Sequence, residues 1–194
     1  MKKKSLGVIL TLIIIAILFK VITSGGEKTI EEAINISSVK SARIIHEEKN
    51  SKGSIVFTYI SEGDGLHVSA VKKGIGGYKE AYSASHGDIK VTLEKLGLLC
   101  GYLPKIKGTE LPIYYGVVGD EVEAVKVVEK KRNIEKEAKI IDADGERIWL
   151  IYMEGFRGSQ FDIVTLSREG KEIKRVTDDI SPLYVEQKAS KGYQ

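Results

Sequence analysis

Along the chain the apolar positions fall into two regimes. From Ser5 to Ile22 (SLGVILTLIIIAILFKVI) they run almost without a break, and between Ser5 and Phe19 only Ser5 and Thr11 carry polar side chains. An amphipathic surface helix needs a polar face, which this segment lacks. Beyond Gly25 the apolar residues come in short groups, first at helical spacing and then in alternation, separated by turn residues. The first regime predicts a segment that leaves water as a whole. The second predicts a globule built mainly of strands.

At ~1.5 Å per residue, Ser5 to Ile22 spans about 27 Å, just under a hydrocarbon core of ~30 Å. Residues 1–22 therefore read as an N-terminal membrane anchor, with Leu6, Ile9, Leu12, Ile15 and Phe19 among its lipid-facing side chains. Lys20 interrupts the run, but near a helix end its long stem carries the ammonium to the headgroups. The alternative is a cleavable signal peptide, since Leu6 to Phe19 has the length of a signal h-region. Around Thr23, Ser24 and Gly25, however, no good small-x-small cleavage site occurs. No cysteine follows that could take a diacylglyceryl anchor. Lys2 to Lys4 hold the N-terminus in the cytoplasm by the positive-inside bias, leaving the domain outside the membrane. The expectation is a single-pass cell-membrane protein, secreted if the leader is cleaved.

Residues 23–28 read as a spacer, and 29–177 as one extracytoplasmic domain. Thr29-Ile30-Glu31-Glu32 has the form of a capping box, predicting a short helix to about Ser38. From Ala42 the period changes to that of strands: Ala42–Glu48, Ser54–Ser61, Leu66–Lys73 and Tyr78–Tyr82, joined by turns at Asn50–Gly53 and Glu62–Gly65. Ile89, Val91 and Leu93 alternate with Lys90 and Thr92, predicting a strand that leads into a buried loop through Leu103. Further strands follow over Leu111–Val118, Glu121–Glu129, Lys136–Asp142, Arg147–Glu154, Phe161–Arg168 and Glu172–Val176. Gly119-Asp120 separates the first two of these, and Asp144-Gly145 is a hairpin signal. In the tail, 178–194, Ser181 and Pro182 could cap a short helix.

The short connections predict an α+β fold of mainly antiparallel β-meanders. Matches between Ala42–Ile45 and Ala138–Ile141, Ile55–Tyr59 and Ile148–Tyr152, and Leu66-x-Val68 and Phe161-x-Ile163 admit two explanations. Either 29–108 and 109–177 are related halves with two related sheets, or these are the ordinary likenesses of two amphipathic meanders.

Charge changes the picture in one respect. The chain has 30 Lys and Arg against 27 Asp and Glu, a formal +3. Four of those lysines belong to the leader, so the remainder holds 26 basic against 27 acidic residues and is nearly neutral. The basic balance is a targeting signal and gives nucleic acid no basic face to bind. Cys100 is the single cysteine, so an internal disulfide is impossible and stability must come from packing. It reads as a small buried apolar residue.

No motif assigns chemistry. His46, His67 and His86 form no metal-ligand spacing. Asp142-x-Asp144-Gly145 starts like a calcium loop, but Arg147 stands where that loop needs glycine. Neither GxSxG nor SxxK occurs. The adjacent pairs Glu47-Glu48 and Asp178-Asp179 point to opposite faces of a strand. No catalytic, cofactor-binding or metal residue is assigned, and no cofactor is expected. Trp149 reads as core. Two features stand as candidates for a binding surface. Tyr114 and Tyr115 are neighbours in a strand, so one of them faces outward unless both faces are covered. Lys130, Lys131 and Arg132 form a basic run that is most simply a solvated strand end and turn, with contact to an anionic polymer such as teichoic acid, or to a phospholipid surface, as its functional alternative.

The lysine-rich leader, TIEEAI at Thr29 to Ile34, IVFTY at Ile55 to Tyr59 and LPIYYGVV at Leu111 to Val118 together resemble small exported or membrane-anchored proteins of Bacillus-type Gram-positive bacteria. That resemblance implies a location and carries over no active-site residue. The expected role is binding or accessory work at the cell envelope, with an envelope protein or an anionic polymer as partner. The alternative is an extracytoplasmic enzyme whose site is assembled from distant residues.

Overall fold

The computed structural model describes residues 11–19, 25–39, 41–106 and 112–180. Leu6 and Ile9 of the expected anchor, the Thr23-Ser24 part of the spacer, the 108/109 boundary between halves and the Ser181-Pro182 tail signal lie outside the described residues. Residues 11–19 are helical (α1), with Leu12, Ile15 and Phe19 exposed. Among the described residues no helix is long and apolar enough to cross a membrane.

The capping box forms as the sequence predicts. Thr29 Oγ1 accepts from the Glu32 amide at 3.1 Å, and Glu32 Oε2 accepts from the Thr29 amide at 3.2 Å. The helix is shorter than expected, however. It covers Ile30–Ala33 (α2) and is followed by a 3-10 turn, Ile36–Ser38, after Asn35 adopts φ 52°. One turn with few apolar contacts cannot hold the chain in a longer helix.

Among the described residues there are three sheets of four strands each, where related halves would give two. The first is a meander of β1 (Ala42–Asn50), β2 (Gly53–Ile60), β3 (Gly65–Gly74) and β4 (Gly77–His86), antiparallel throughout. Its β1–β2 turn is set by Asn50 Oδ1, which accepts from the Lys52 amide at 2.7 Å and the Gly53 amide at 2.8 Å. The second sheet has the order β5 (Leu98–Leu103), β6 (Ile113–Val118), β10 (Glu146–Tyr152), β9 (Lys139–Ala143). The third has the order β12 (Glu172–Asp179), β11 (Gln160–Leu166), β7 (Ala124–Glu129), β8 (Ile134–Glu137).

The second sheet is the middle layer. One core joins Ile55, Phe57, Leu66 and Val68 of the first sheet to Ile113, Tyr115, Val117, Ile148 and Leu150 of the second. The other joins Tyr114, Val118, Trp149 and Ile151 to Val125, Val127, Phe161 and Ile163 of the third. Strands β6 and β10 therefore bury both faces, which is why IYYGVV and RIWLIY are almost continuously apolar instead of alternating. Each fully buried Ile, Leu or Phe in these layers contributes roughly 1.5–3 kcal/mol.

Two sequence expectations are corrected by this arrangement. Ile89–Leu96 is a helix (α3), with the Asp88 carboxylate accepting from the Val91 amide at 2.9 Å. Ile89 and Leu93, four apart, share the buried face, while Val91 stands 37% exposed, so the apparent alternation came from one surface valine. Gly119-Asp120 separates β6 from β7 as the sequence predicts, and the two strands belong to different sheets. Lys136–Asp142 is not one strand: the chain changes sheet at Ala138, whose amide donates to the Val125 carbonyl at 2.8 Å.

The two halves are also arranged differently. β9 and β10 pair as β1 and β2 do, across a turn in which Asp144 and Gly145 both have positive φ. β3 then pairs with β2, whereas β11 leaves β10 and joins the third sheet.

Candidate functional site

Tyr114 and Tyr115 are both fully buried, so neither presents a surface. Both faces of β6 are covered, and alternation sends Tyr115 into one core and Tyr114 into the other. The Tyr114 hydroxyl donates to Asp178 Oδ2 at 3.0 Å, and the Tyr115 oxygen lies 2.9 Å from His86 Nε2. Burial pushes both phenols above their ordinary range, and for Tyr114 the Asp178 charge adds to it.

The basic run divides. Arg132 turns back on Glu129, donating from Nε to Oε1 at 2.6 Å, and its other nitrogen reaches the Gly155 carbonyl at 3.1 Å. Glu129 is 1% exposed. The Arg132 hydrogen bond, acting against burial and joined by the Arg157 and Gly158 amides, pulls its carboxyl down to about 2. Lys130 pairs with Asp162 at 3.4 Å. Lys131 alone of the three makes no ion pair among the described residues, and it is exposed. Arg132 holds the β7–β8 turn to the loop after β10, so the part of the run open to an anionic polymer is smaller than the sequence suggests.

A polar cluster centres on Glu48, which in the sequence is noticed only as half of the Glu47-Glu48 pair. It lies on the inner face of β1, where it meets the middle sheet. Glu48 accepts from the Tyr152 hydroxyl at 2.9 Å and from Lys139 Nζ at 3.2 Å, and His46 Nε2 is 3.1 Å away. Burial raises its pKa, but the bonds to His46, Tyr152 and Lys139 outweigh that and lower it overall. At the other end of the sheet Arg43 donates to the Asp144 carbonyl at 3.2 Å, pairs with its carboxylate at 2.8 Å and lies 4.9 Å over the Tyr59 ring. These contacts tie the first sheet to the second. Their donors and acceptors face one another, which suits a cross-layer clamp.

Two hollows remain. The larger, about 240 Å³, opens between α3, β5 and β12, and His86 and Cys100 both line it beside Leu96, Leu98 and Val176. His86 bonds Tyr115 of the first core while Cys100 packs against the other core, so lining one hollow does not pair them as base and nucleophile. Burial, with Asp178 adding, pushes the Cys100 thiol up to about 11, so it stays protonated near neutral pH. Burial also lowers the His86 pKa, leaving the imidazole neutral. Apolar walls with a neutral polar group on one side suit binding. The smaller hollow, about 160 Å³, lies between the 3-10 turn and the outer face of the first sheet, lined by Ile34, Val39, Thr58, Ile60 and His67 among others. His67 Nδ1 is 2.7 Å from Ser85 Oγ, while the buried Thr58 hydroxyl has no hydrogen-bond partner.

Among the described residues no three histidine, cysteine or carboxylate side chains converge as a metal site requires. Convergence of Glu48 with Lys139 and Tyr152 depends on which sheets stack. Only the tyrosine pair and the basic run could be noticed in the sequence, and the fold buries or engages most of both. Comparison with known proteins finds no matching family model, no similar curated protein and no similar solved structure.

Proposed function

We propose that the chain is a single-pass membrane protein whose β-rich domain works outside the membrane as a binding or accessory module of the cell envelope, with a protein or anionic polymer as partner. The observation that carries this reading is α1. Its large apolar side chains from Leu12 to Leu18 are 49–60% exposed, and none belongs to either core. An apolar helix that its own globule leaves uncovered needs another apolar medium, and a bilayer supplies one. Lys2 to Lys4 then set the orientation. A binding role is favoured over a reaction because the cleft beside Cys100 holds a protonated thiol and a neutral imidazole, while the Glu48 cluster is occupied with itself.

Alkaline carbonate extraction and protease treatment of intact cells test the placement. The full chain should stay in the membrane pellet, and its globule should be cut from outside. Recovery of the full-length chain in the cytosol would overturn the proposal. Crosslinking in intact cells, with a photoreactive residue at Leu96 on the rim of the cleft or at Lys131, then identifies the partner.

A further inference from the structure

The turn between β3 and β4 carries an isoleucine that the fold does not use. Ile75 is 91% exposed, the most exposed large apolar side chain among the described residues. It sits in the stretch Val71-Lys-Lys-Gly-Ile-Gly-Gly-Tyr-Lys79, which contains three lysines and no acidic residue. Lys73 and Lys79 are exposed, and Lys73 Nζ lies 5.8 Å over the Tyr78 ring. Turns favour residues that are small or bond to their own backbone, and a β-branched apolar side chain at a hairpin tip does neither.

The structure also fixes what this tip stands beside. The Gly26 amide donates to the Gly76 carbonyl at 3.1 Å, and Glu27 and Tyr78 exchange both backbone bonds at 2.7 Å. The backbones approach so closely that a Cβ on Gly77 would stand 2.2 Å from the Glu27 carbonyl oxygen, and one on Gly26 would stand 2.7 Å from that of Gly76. The hairpin tip is therefore fastened to the point where the chain enters the domain. From Ile22, the end of the apolar leader, to Gly25 is three peptide steps, a reach of no more than about 11 Å.

We infer that the β3–β4 tip is a second membrane contact: Ile75 enters the headgroup region of the bilayer while Lys72, Lys73 and Lys79 meet lipid phosphates. The inference rests on the tethered reading above. A bilayer is the occupant because the leader ends within three peptide steps of the arm to which this tip is fastened. Long lysine stems placed around an apolar side chain suit a phosphate layer over hydrocarbon. Glu27 and Glu31 lie in the same arm, and Glu32 is engaged by its cap, so the contact depends on the apolar side chain together with the lysines of the hairpin. Two attachments would hold the first sheet upright on the membrane and keep the β2–β3 turn about 30 Å away, the length of β3 at ~3.3 Å per residue.

The test uses the full chain in lipid nanodiscs of phosphatidylcholine and phosphatidylglycerol, with isoleucine methyl groups labelled for NMR and some headgroups carrying gadolinium. Ile75→Val identifies the Ile75 signal. The Ile75 methyl should be broadened beyond detection, while Ile60, which pairs with Gly65 at the far end of the sheet, and the exposed Ile173 keep their intensity. An Ile75 signal as sharp as that of Ile60, in a chain that co-elutes with the disc, overturns this inference and leaves the tether standing. A chain that elutes apart from the disc overturns the tether and the inference together.

Discussion

Replacing Gly116 by alanine should be among the most damaging single-methyl changes in this domain. Gly116 lies in β6, opposite Cys100 of β5 on one side and Trp149 of β10 on the other. The Trp149 indole crosses it to donate from Nε1 to the Leu99 carbonyl at 3.1 Å. An added Cβ would stand 1.7 Å from that carbonyl oxygen and 2.7 Å from the indole nitrogen, against an ordinary contact of ~3.5 Å. The nearest obstacle is backbone of a paired strand, so no side-chain rotation relieves it. Overpacking a buried layer costs roughly 1–3 kcal/mol. Separating the indole from its acceptor strands a buried polar group for another ~1–3 kcal/mol. The expected loss is about 4 kcal/mol, a large part of the ~5–15 kcal/mol that holds a domain folded. With a urea slope of about 2 kcal/mol per molar, the midpoint should fall by about 2 M at constant slope. Far-UV circular dichroism is the probe, because Trp149 is the only tryptophan. Trp149→Phe removes the donor and opens space over residue 116. Gly116→Ala should therefore cost at least about 1 kcal/mol less in that background than in the wild type. A Gly116→Ala variant within about 0.5 kcal/mol of wild type would refute the described packing of β5, β6 and β10.

Other consequences follow from single groups. Thr58→Val should raise stability by about 1 kcal/mol in thermal unfolding, because it removes a buried hydroxyl without a partner at nearly constant volume; destabilisation by that amount would mean the hydroxyl is bonded. Glu129, held at about 2 by Arg132, has a folded pKa below its unfolded value near 4.5. Its stabilisation is thus present above about 4.5 and lost as pH falls toward 2, and urea midpoints between pH 2 and 6 should show a shallower acid limb in Glu129→Gln. Cys100, raised to about 11, should react with iodoacetamide at pH 8 on the order of a hundredfold more slowly than an ordinary thiol of pKa ~8.5–9. Labelling at the ordinary rate in the folded chain would show an exposed thiol.

How much of this was legible in the chain follows a physical division. Elements set by neighbours in sequence could be read directly: the Thr29–Glu32 capping box, the Asn50 turn, the Asp144-Gly145 hairpin and nearly all the strands depend on local hydrogen bonds and on side-chain alternation. The α3 helix was misread because one exposed valine between Ile89 and Leu93 imitates period two over so short a span. The doubled apolar character of IYYGVV and RIWLIY was visible, but one strand pattern does not say what lies on either side of it. The candidate sites fared worst, since Glu48, Lys139 and Tyr152 are brought together only by stacking one sheet on another.

Sequence alone therefore determined an apolar N-terminal segment, a nearly neutral remainder without internal disulfide, and its antiparallel strands, because these rest on composition and nearest-neighbour geometry. Tertiary structure alone decided that three layers form, that Tyr114 and Tyr115 are core, and that the Ile75 turn is fastened to the entry of the chain. Those are matters of which distant surfaces exclude water from each other. Several pairings satisfy the same alternation, and only packing of the whole chain selects one.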